Sequence, residues 1–188
     1  MTDIAQAAGG PVVVFDLLGR TGALADMSEF GHLLEDKQVR RMDRWKAFFA
    51  AIPQARVIEE HRDLVGYFAG LGYGIAYSSD CDISTIADSQ EWLTRHGFPP
   101  GRVLARTPAG QSHARGVLRA KHSRNLQHRF RCEVRLVVDS DADVRDFLTG
   151  NGLPAVTYAE LLEMGTREVR ALVGYEVPAD MSRTASVG

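Results

Sequence analysis

Three polar residues close apolar runs that have the composition of buried strands. Asp16 and Asp139 each follow a run rich in valine, and Ser78 ends a third apolar run. Mg²⁺ prefers oxygen ligands such as carboxylates, and an aspartate can also be the nucleophile that accepts a phosphoryl group. A hydroxyl such as that of Ser78 can hold a phosphate oxygen, and a further acid, Asp143, lies four residues after Asp139. These residue types predict a site for phosphate chemistry if the fold brings them together.

Strand and helix patterns alternate along the chain. Apolar runs between turn residues predict strands at 11–16, 74–79, 102–105, 134–138 and 154–158. Helical spacing predicts helices at 36–52, 57–71, 84–96, 112–126, 141–148 and 159–165. This alternation predicts an α/β sandwich around a mostly parallel sheet. Right-handed crossovers would place the ends of the first, second and fourth strands along one edge, so we expect Asp16, Ser78 and Asp139 to converge.

The predicted helix at 36–52 carries a bulky apolar face. Its members are Val39, Met42, Trp45, Phe48, Phe49 and Ile52. A face of this kind packs most often against a core. The functional alternative is a small cap that covers an active site.

The segment 113–135 is strongly basic, although the chain as a whole has a net charge of −2. Its one acid is Glu133, against Arg115, Arg119, Lys121, Arg124, Arg129, Arg131 and Arg135. Such a run is either a solvated helix face or an anion funnel for a phosphorylated or polymeric substrate. The interleaved histidines (His113, His122 and His128) lack metal-ligand spacing, and we expect them at the surface.

Composition limits the class of protein. A chain of 188 residues fits one domain and can bury a proper core. Two distant cysteines and no CxxC pair favour a reducing, cytoplasmic setting. The first ten residues lack the features of a signal peptide, and no apolar run approaches the length of a membrane span, so no membrane partner is expected.

Several segments together resemble a known family. The motifs FDLLGR, YSSD and VVDSDADV, each at a predicted strand end, resemble those of the haloacid dehalogenase superfamily. The closer similarity is to the phosphatase domain of polynucleotide kinase–phosphatases, and it is carried by DSQEWLTRHGFP (88–99), RTPAG (106–110) and NGLPAV (151–156). This resemblance covers about residues 11–162. It implies a Rossmann-like three-layer sandwich with a cap or flap inserted at about 20–55. The expected single domain spans 1–175, with a polar tail at 176–188.

The resemblance also implies a role for each matching residue. Its catalytic residues would be Asp16 as the nucleophile, Ser78 as a holder of a phosphate oxygen and Arg119 as the charge-neutralising cation. The implied Mg²⁺ ligands are Asp16, Asp139 and Asp143. The implied substrate contacts are Ser79, Arg115 and Lys121.

The sequence departs from the family pattern at several of these positions. Leu18 stands where the family has the aspartate that transfers a proton to the leaving group, a step typically worth about 10²–10⁴ in rate. Arg20 replaces the threonine of the first motif. Ser79 and Asp80 replace a Gly-Arg pair, so an acid lies where a cation is expected. Ser140 replaces the second acid of the fourth motif.

These departures predict a phosphatase-type domain with impaired or altered catalysis, acting on or binding a phosphorylated small molecule, nucleotide or nucleic-acid end. If it is active, it would be a Mg²⁺-dependent phosphoric monoester hydrolase that forms an aspartyl-phosphate, and Asp80 or Asp82 could replace the missing acid. The alternative is a catalytically inactive, regulatory member that binds nucleic acid or a protein partner. Dehalogenation is a weaker option, because the similarity at 88–110 points elsewhere.

Overall fold

A computed structural model describes residues 9–18, 22–110 and 112–175. The strands of this part of the chain are β1 (Pro11–Leu18), β2 (Ala25–Asp26), β3 (Arg56–Val57), β4 (Gly74–Asp82), β5 (Gly101–Arg106), β6 (Glu133–Asp139) and β7 (Ala155–Thr157). The helices are α1 (Arg41–Ala50), α2 (Glu59–Gly70), α3 (Ile86–Arg95), α4 (Arg115–Arg129), α5 (Ala142–Gly150), α6 (Tyr158–Glu163) and α7 (Thr166–Leu172). The polar tail expected at 176–188 and Arg20 lie outside the described residues.

Five strands form a parallel sheet in the order β7-β6-β1-β4-β5. Every position from Val12 to Leu18 is buried, because β1 is central and has helices on both of its faces. A strand buried on both faces needs a continuous apolar run, which is why β1 was readable in the sequence. The predicted α/β fold with a mostly parallel sheet, a Rossmann-like three-layer arrangement, is confirmed.

The strand register brings the predicted polar residues to one edge of the sheet. Asp16 of β1 is directly opposite Ser78 of β4. On the other side, Phe15 pairs with Val138 of β6, so Asp139 comes one residue later at the same level. The parallel crossovers therefore place the ends of these three strands together, as the alternation predicted.

The two faces of the sheet form two hydrophobic clusters. The larger contains Phe15 and Leu18 and packs against side chains of α2, α3, α6 and α7. The smaller contains Val14 and Ala76 and packs against α4 and α5. Side chains alternate along a strand, so Asp16, two residues after Val14, lies on the α4 side of the sheet.

The segment between β1 and α2 forms a small unit beside the end of β1. Its strand β2 pairs with the last residue of β1 and, antiparallel, with β3. The helix expected at 36–52 begins only at Arg41. Phe48 and Phe49 are buried, whereas Val39 is 40% and Met42 75% exposed. The core prediction for this apolar face is therefore right for its carboxyl-terminal half and wrong at its start.

Three local predictions need correction. The helix α7 and the short strands β2 and β3 were not predicted. The basic helix α4 is not solvated all round, because one face is buried and includes Leu118 and Leu126. His122 belongs to that buried face, so its expected surface position is wrong. Among the described residues, no helix is both long and apolar enough to cross a membrane.

Candidate functional site

Arg119 connects the ends of two neighbouring strands. It lies in the second turn of α4 on the face turned to the sheet, and its side chain is fully buried. Its Nη2 donates to Oδ1 of Asp16 at 2.5 Å, and its Nε donates to Oδ2 of Asp139 at 2.8 Å. Charge-assisted hydrogen bonds of this geometry are the strongest in proteins. A single guanidinium therefore occupies the space between the two predicted metal-binding carboxylates.

Arg115 lies one helical turn before Arg119 and closes the same group of acids from the solvent side. Its Nη2 donates to Oδ2 of Asp16 at 3.2 Å, and its Nη1 donates to Oδ2 of Asp141 at 3.0 Å. Its Nε is 2.8 Å from Oδ2 of Asp80. The side chain of Arg115 is 28% exposed and that of its partner Asp141 is 36% exposed, so solvent reaches this pair.

Asp80 is held by three arginines. Besides Arg115, it is 3.3 Å from Nη1 of Arg119 and accepts from Nη2 of Arg106 at 3.4 Å. The sequence made Asp80 a candidate substitute for the missing acid and placed it where the family has a cation. In the structure its carboxylate is bound within the ionic network. We call the seven residues of this network the ion-pair cluster: Asp16, Asp80, Arg106, Arg115, Arg119, Asp139 and Asp141.

Asp16 is completely enclosed. Besides the two arginines, Ser140 Oγ donates to its Oδ2 at 2.8 Å, and the hydroxyl of Tyr158 donates to its backbone carbonyl at 2.9 Å. Burial raises the pKa of Asp16 to about 6, against the lowering effect of Arg119 and with a further rise from Asp139. Asp16 is 0% exposed, so an incoming phosphorus atom has no access to its oxygens unless the surrounding side chains move.

Ser78 faces α4 and not the solvent. Its Oγ is 2.7 Å from Nδ1 of His122, whose Nε2 is 3.2 Å from the carbonyl oxygen of Ala105. A carbonyl can only accept, so Nε2 carries the proton and Nδ1 accepts the hydroxyl proton of Ser78. Burial and the nearby Arg119 lower the pKa of His122 to about 4, which keeps the ring neutral. The Ser78 hydroxyl thus has its proton committed to His122.

Leu18 and Ser79 both lie away from the ion-pair cluster. Leu18 is 1% exposed and packs in the larger hydrophobic cluster. Ser79 is also buried, and its Oγ accepts from the backbone N–H of Cys81 at 3.1 Å. Position 18 therefore has apolar surroundings, in which an ionised acid would have no partner.

Two predicted residues are not brought to the cluster. Lys121 is exposed, and its Nζ is 2.7 Å from Nε2 of His113. It follows Arg119 by two positions, which is about 200° around a helix and hence on the opposite side. Asp143 is exposed in the first turn of α5, and its backbone N–H donates to Asp141. Asp141, which was not predicted as a site residue, pairs with Arg115.

A cleft of about 620 Å³ opens beside the ion-pair cluster. One wall belongs to the segment between β1 and α2 and includes Ser28, Leu34 and Phe48. The other wall is formed by Arg115 and Ser140, together with Asp141 and Ala142. The cleft therefore reaches the outer, solvent-accessible part of the cluster, while Asp16 lies behind Arg115.

The arrangement of donors does not fit Mg²⁺. Both oxygens of Asp16 accept hydrogen bonds from arginine or serine, and Asp139 accepts from Arg119 and from the backbone N–H of Asp141. Within the described ranges, no group of three or more His, Cys, Asp or Glu side chains is placed to hold a metal ion. A divalent cation would have to displace a guanidinium that already neutralises both carboxylates.

The fold defines the class as an α/β domain with a mostly parallel, Rossmann-like sheet, and two solved structures support that fold. No protein-family model and no curated protein matches the sequence. Two structures of the Pnkp1/Rnl/Hen1 complex, one described as an RNA repair complex, match 81% of this chain with TM-scores of 0.57 and 0.55, each at 15% identity. A phosphonoacetaldehyde hydrolase-like protein from Oleispira antarctica matches 90% of this chain and 83% of its own at a TM-score of 0.45 and 8% identity.

These likenesses concern the fold. This chain spans only 44% and 48% of the two chains from the repair complex. The fold that the sequence resemblance implies is confirmed by these likenesses, and the roles of individual residues remain predictions.

Proposed function

We propose that this chain is a phosphatase-fold domain that binds a phosphorylated nucleotide or nucleic-acid end in its cleft and has lost most of its catalytic power. The observation that carries the proposal is the position of Arg119 between Asp16 and Asp139. It binds the expected nucleophile and the expected metal ligand to each other. We further propose that residues 20–55 act as the flap of a single domain, and that the protein works in the cytoplasm.

Impaired catalysis follows from two features of the site. The nucleophile must reach phosphorus, and Asp16 is 0% exposed behind Arg115. The leaving group must receive a proton, and Leu18 in its apolar surroundings has none to give. Asp80 does not replace it, because its carboxylate is bound to arginines. Neither requirement is met, so slow or absent turnover is expected.

Binding of a phosphate end is supported by the chemistry of the cleft wall. Arg115 presents the exposed part of its guanidinium there, next to the hydroxyl-bearing residues Ser28 and Ser140. Arginine forks match phosphate oxygens in a bidentate manner. A phosphate could take the place of Asp141, whose contact with Arg115 is the most exposed in the cluster. The fold likeness to a chain of an RNA repair complex favours a nucleic-acid end over other phosphate esters.

Mg²⁺ is the cofactor that the family resemblance implies, and it has no part in the proposed binding step. In this arrangement two of its three expected ligands, Asp16 and Asp139, are neutralised by Arg119. If phosphate binding pulled Arg115 away, Asp16 would still keep its bond to Arg119. We therefore expect binding of a phosphorylated end to be independent of Mg²⁺.

The experiment compares binding with hydrolysis. A short oligonucleotide with a 3′-phosphate is expected to bind at least tenfold more tightly than its hydroxyl-ended form, with and without Mg²⁺. Release of phosphate is expected to stay at the level of an Asp16→Asn control. Arg115→Gln should abolish the preference for the phosphorylated end, whereas Arg95→Gln, on the exposed face of α3, should not. Equal affinity for the two ends would refute the proposed ligand.

The alternative is a catalytically inactive regulatory protein whose partner is another protein. The closed ion-pair cluster fits this alternative equally well, since it needs no ligand in the cleft. Mg²⁺-dependent turnover well above the Asp16→Asn control would contradict both proposals and show that the chain is an active phosphatase.

A further inference from the structure

The outer side of α4 and its neighbours carry a second group of basic residues, separate from the ion-pair cluster. We define this basic face as Arg102, Lys121, Arg124, His128, Arg129 and Arg131, all of which are exposed. Among the described residues, none of these six forms an ion pair with an Asp or Glu side chain. Their charge is therefore directed to solvent.

Two exposed arginines on or beside other helices are compensated by an acid of the same helix. Arg95 of α3 pairs with Glu91 one turn earlier at 2.8 Å, and Arg40 pairs with Asp43 at 2.9 Å. Intrahelical pairs of this type are common on solvated helices. The helix α4 has no acidic residue with which to form one. An ordinary solvated face would mix the two signs, so the uniform charge of this face requires another explanation.

The basic face is also ordered by its own contacts. The guanidinium of Arg102 lies over the ring of Phe130, 3.8 Å from the centroid, and that of Arg129 is 5.5 Å from the same centroid. Cation–π contacts hold these side chains in place and lower the entropy lost when they bind a ligand. Lys121, Arg124 and His128 continue the face along one side of α4, over about 10 Å.

We propose that the basic face binds the sugar–phosphate backbone of a single nucleic-acid strand. A row of cations along a helix matches the regular charge of such a strand, and guanidinium groups pair with phosphates in bidentate geometry. In a chain of net charge −2, a polyanion is attracted only where charge is locally positive. The choice of nucleic acid over another polyanion rests on the proposed function.

The cleft lies at the start of α4, and the basic face extends from the middle of the helix to its end. Arg115, at the first position of the helix, lines the cleft, and Arg129, at the last position, is about 21 Å away along the axis. A strand bound at its end in the cleft could extend along α4 to the basic face. The two contacts can be tested apart, because only the cleft distinguishes a phosphorylated end from a hydroxyl end.

The test uses the full chain and a hydroxyl-ended single-stranded 12-mer, with binding followed by fluorescence anisotropy at several salt concentrations. The five Lys and Arg side chains of the basic face, without His128, predict a slope of log K against log salt of about −3.5. The double variant Lys121→Glu, Arg124→Glu should weaken binding at least tenfold at low salt and reduce the slope by about 1.4. Arg124→Glu alone should weaken it at least threefold. The matched control is Arg167→Glu on α7, an exposed arginine of identical charge change, which should leave binding unaltered.

The outcomes separate the two proposals. If the hydroxyl-ended strand binds through the basic face but a terminal phosphate adds nothing, this inference stands and the proposed end-binding function fails. If the phosphorylated end is preferred while Arg124→Glu and Arg167→Glu behave alike, the inference is wrong and the function stands. Equal competition by polyglutamate of the same charge would also overturn it, because it would show a surface for any polyanion.

Discussion

Arg119 donates to Asp16 at 2.5 Å and to Asp139 at 2.8 Å, so one buried guanidinium joins the ends of β1 and β6. All three side chains are fully buried. The chain thus supplies its own cation at the point where the sequence motifs predict a metal ion. The stability of a site built in this way depends on its internal charge balance.

Arg119→Met should be strongly destabilising. The substitution leaves two buried carboxylates without their common partner, and loss of one member of a buried ion pair typically costs about 3–5 kcal/mol. Denaturant unfolding should therefore show a lower midpoint with an unchanged slope. Arg95→Met, which breaks the exposed pair with Glu91, should cost no more than about 1 kcal/mol. Similar losses of stability for the two variants would show that the buried contacts of Arg119 contribute no more than an exposed ion pair.

Leu18→Asp should not restore phosphatase activity. Restoring the family's acid is the obvious rescue from sequence alone, but Leu18 is 1% exposed within the larger hydrophobic cluster. An aspartate there is buried without a partner, which costs several kcal/mol or forces it to stay protonated. We expect a loss of more than about 3 kcal/mol in the free energy of unfolding. The control Leu18→Met should cost less than about 1.5 kcal/mol.

Phosphate-release assays with Mg²⁺ complete this test. Turnover by a folded Leu18→Asp protein, above that of the natural chain, would show that the acid alone was missing and that Asp16 becomes accessible during the reaction.

The strands and their polar ends could be predicted from sequence because both depend on local pattern. Burial on both faces demands the apolar run of β1, and right-handed crossovers leave few positions for its neighbours. Asp16, Ser78 and Asp139 were found in this way. The contacts of these three residues depend instead on which side chains of α4 face the sheet.

Side-chain orientation explains the residues that were misplaced. Arg119 and Lys121 have the same charge and nearly the same position, yet only Arg119 faces the sheet. A uniformly basic helix has weak amphipathic contrast, so its inward face could not be identified from charge. Asp141 was missed because its position in the sequence is that of the N-cap residue of α5. Its contact with Arg115 joins residues that are 26 positions apart, so local pattern does not indicate it.

His122 should make the protein less stable in mild acid. The unfolded chain protonates this histidine below a pKa of about 6.5, whereas burial holds its pKa in the folded state at about 4. Between these values the unfolded state binds more protons, so the free energy of unfolding falls as the pH decreases from 6.5 to 4. The full effect is about 3 kcal/mol.

The variant His122→Gln isolates this contribution. It removes the titrating group. The difference in the free energy of unfolding between the natural protein and the variant should therefore shrink by most of this effect of about 3 kcal/mol as the pH is lowered. The raised pKa of Asp16 acts in the opposite direction but is present in both proteins and cancels in the difference. A difference that stays constant from pH 7 to pH 4 would mean that His122 titrates normally.

Gly116→Ala should be destabilising, although alanine is usually the better helix former by about 0.5–1 kcal/mol. Gly116 lies in the first turn of α4, and a Cβ there would come within 2.7 Å of Cδ1 and 3.1 Å of Cβ of Phe147 on α5. The two helices must separate to accommodate this Cβ. Overpacking of this kind typically lowers the free energy of unfolding by about 1–3 kcal/mol. Gly66→Ala on α2 is the control, since nothing lies within 4 Å of a Cβ there, and it should be neutral or stabilising.

A double-mutant cycle tests the cause of that loss. In the Phe147→Ala background the ring is absent, so Gly116→Ala should become neutral or stabilising, with a coupling energy of at least about 1 kcal/mol. Because Gly116 directly follows Arg115, separation of α4 from α5 should also weaken the contact between Arg115 and Asp141. Phosphate-end binding by Gly116→Ala should then change and should recover with Phe147→Ala. Simple additivity of the two substitutions would mean that α4 is positioned by other contacts.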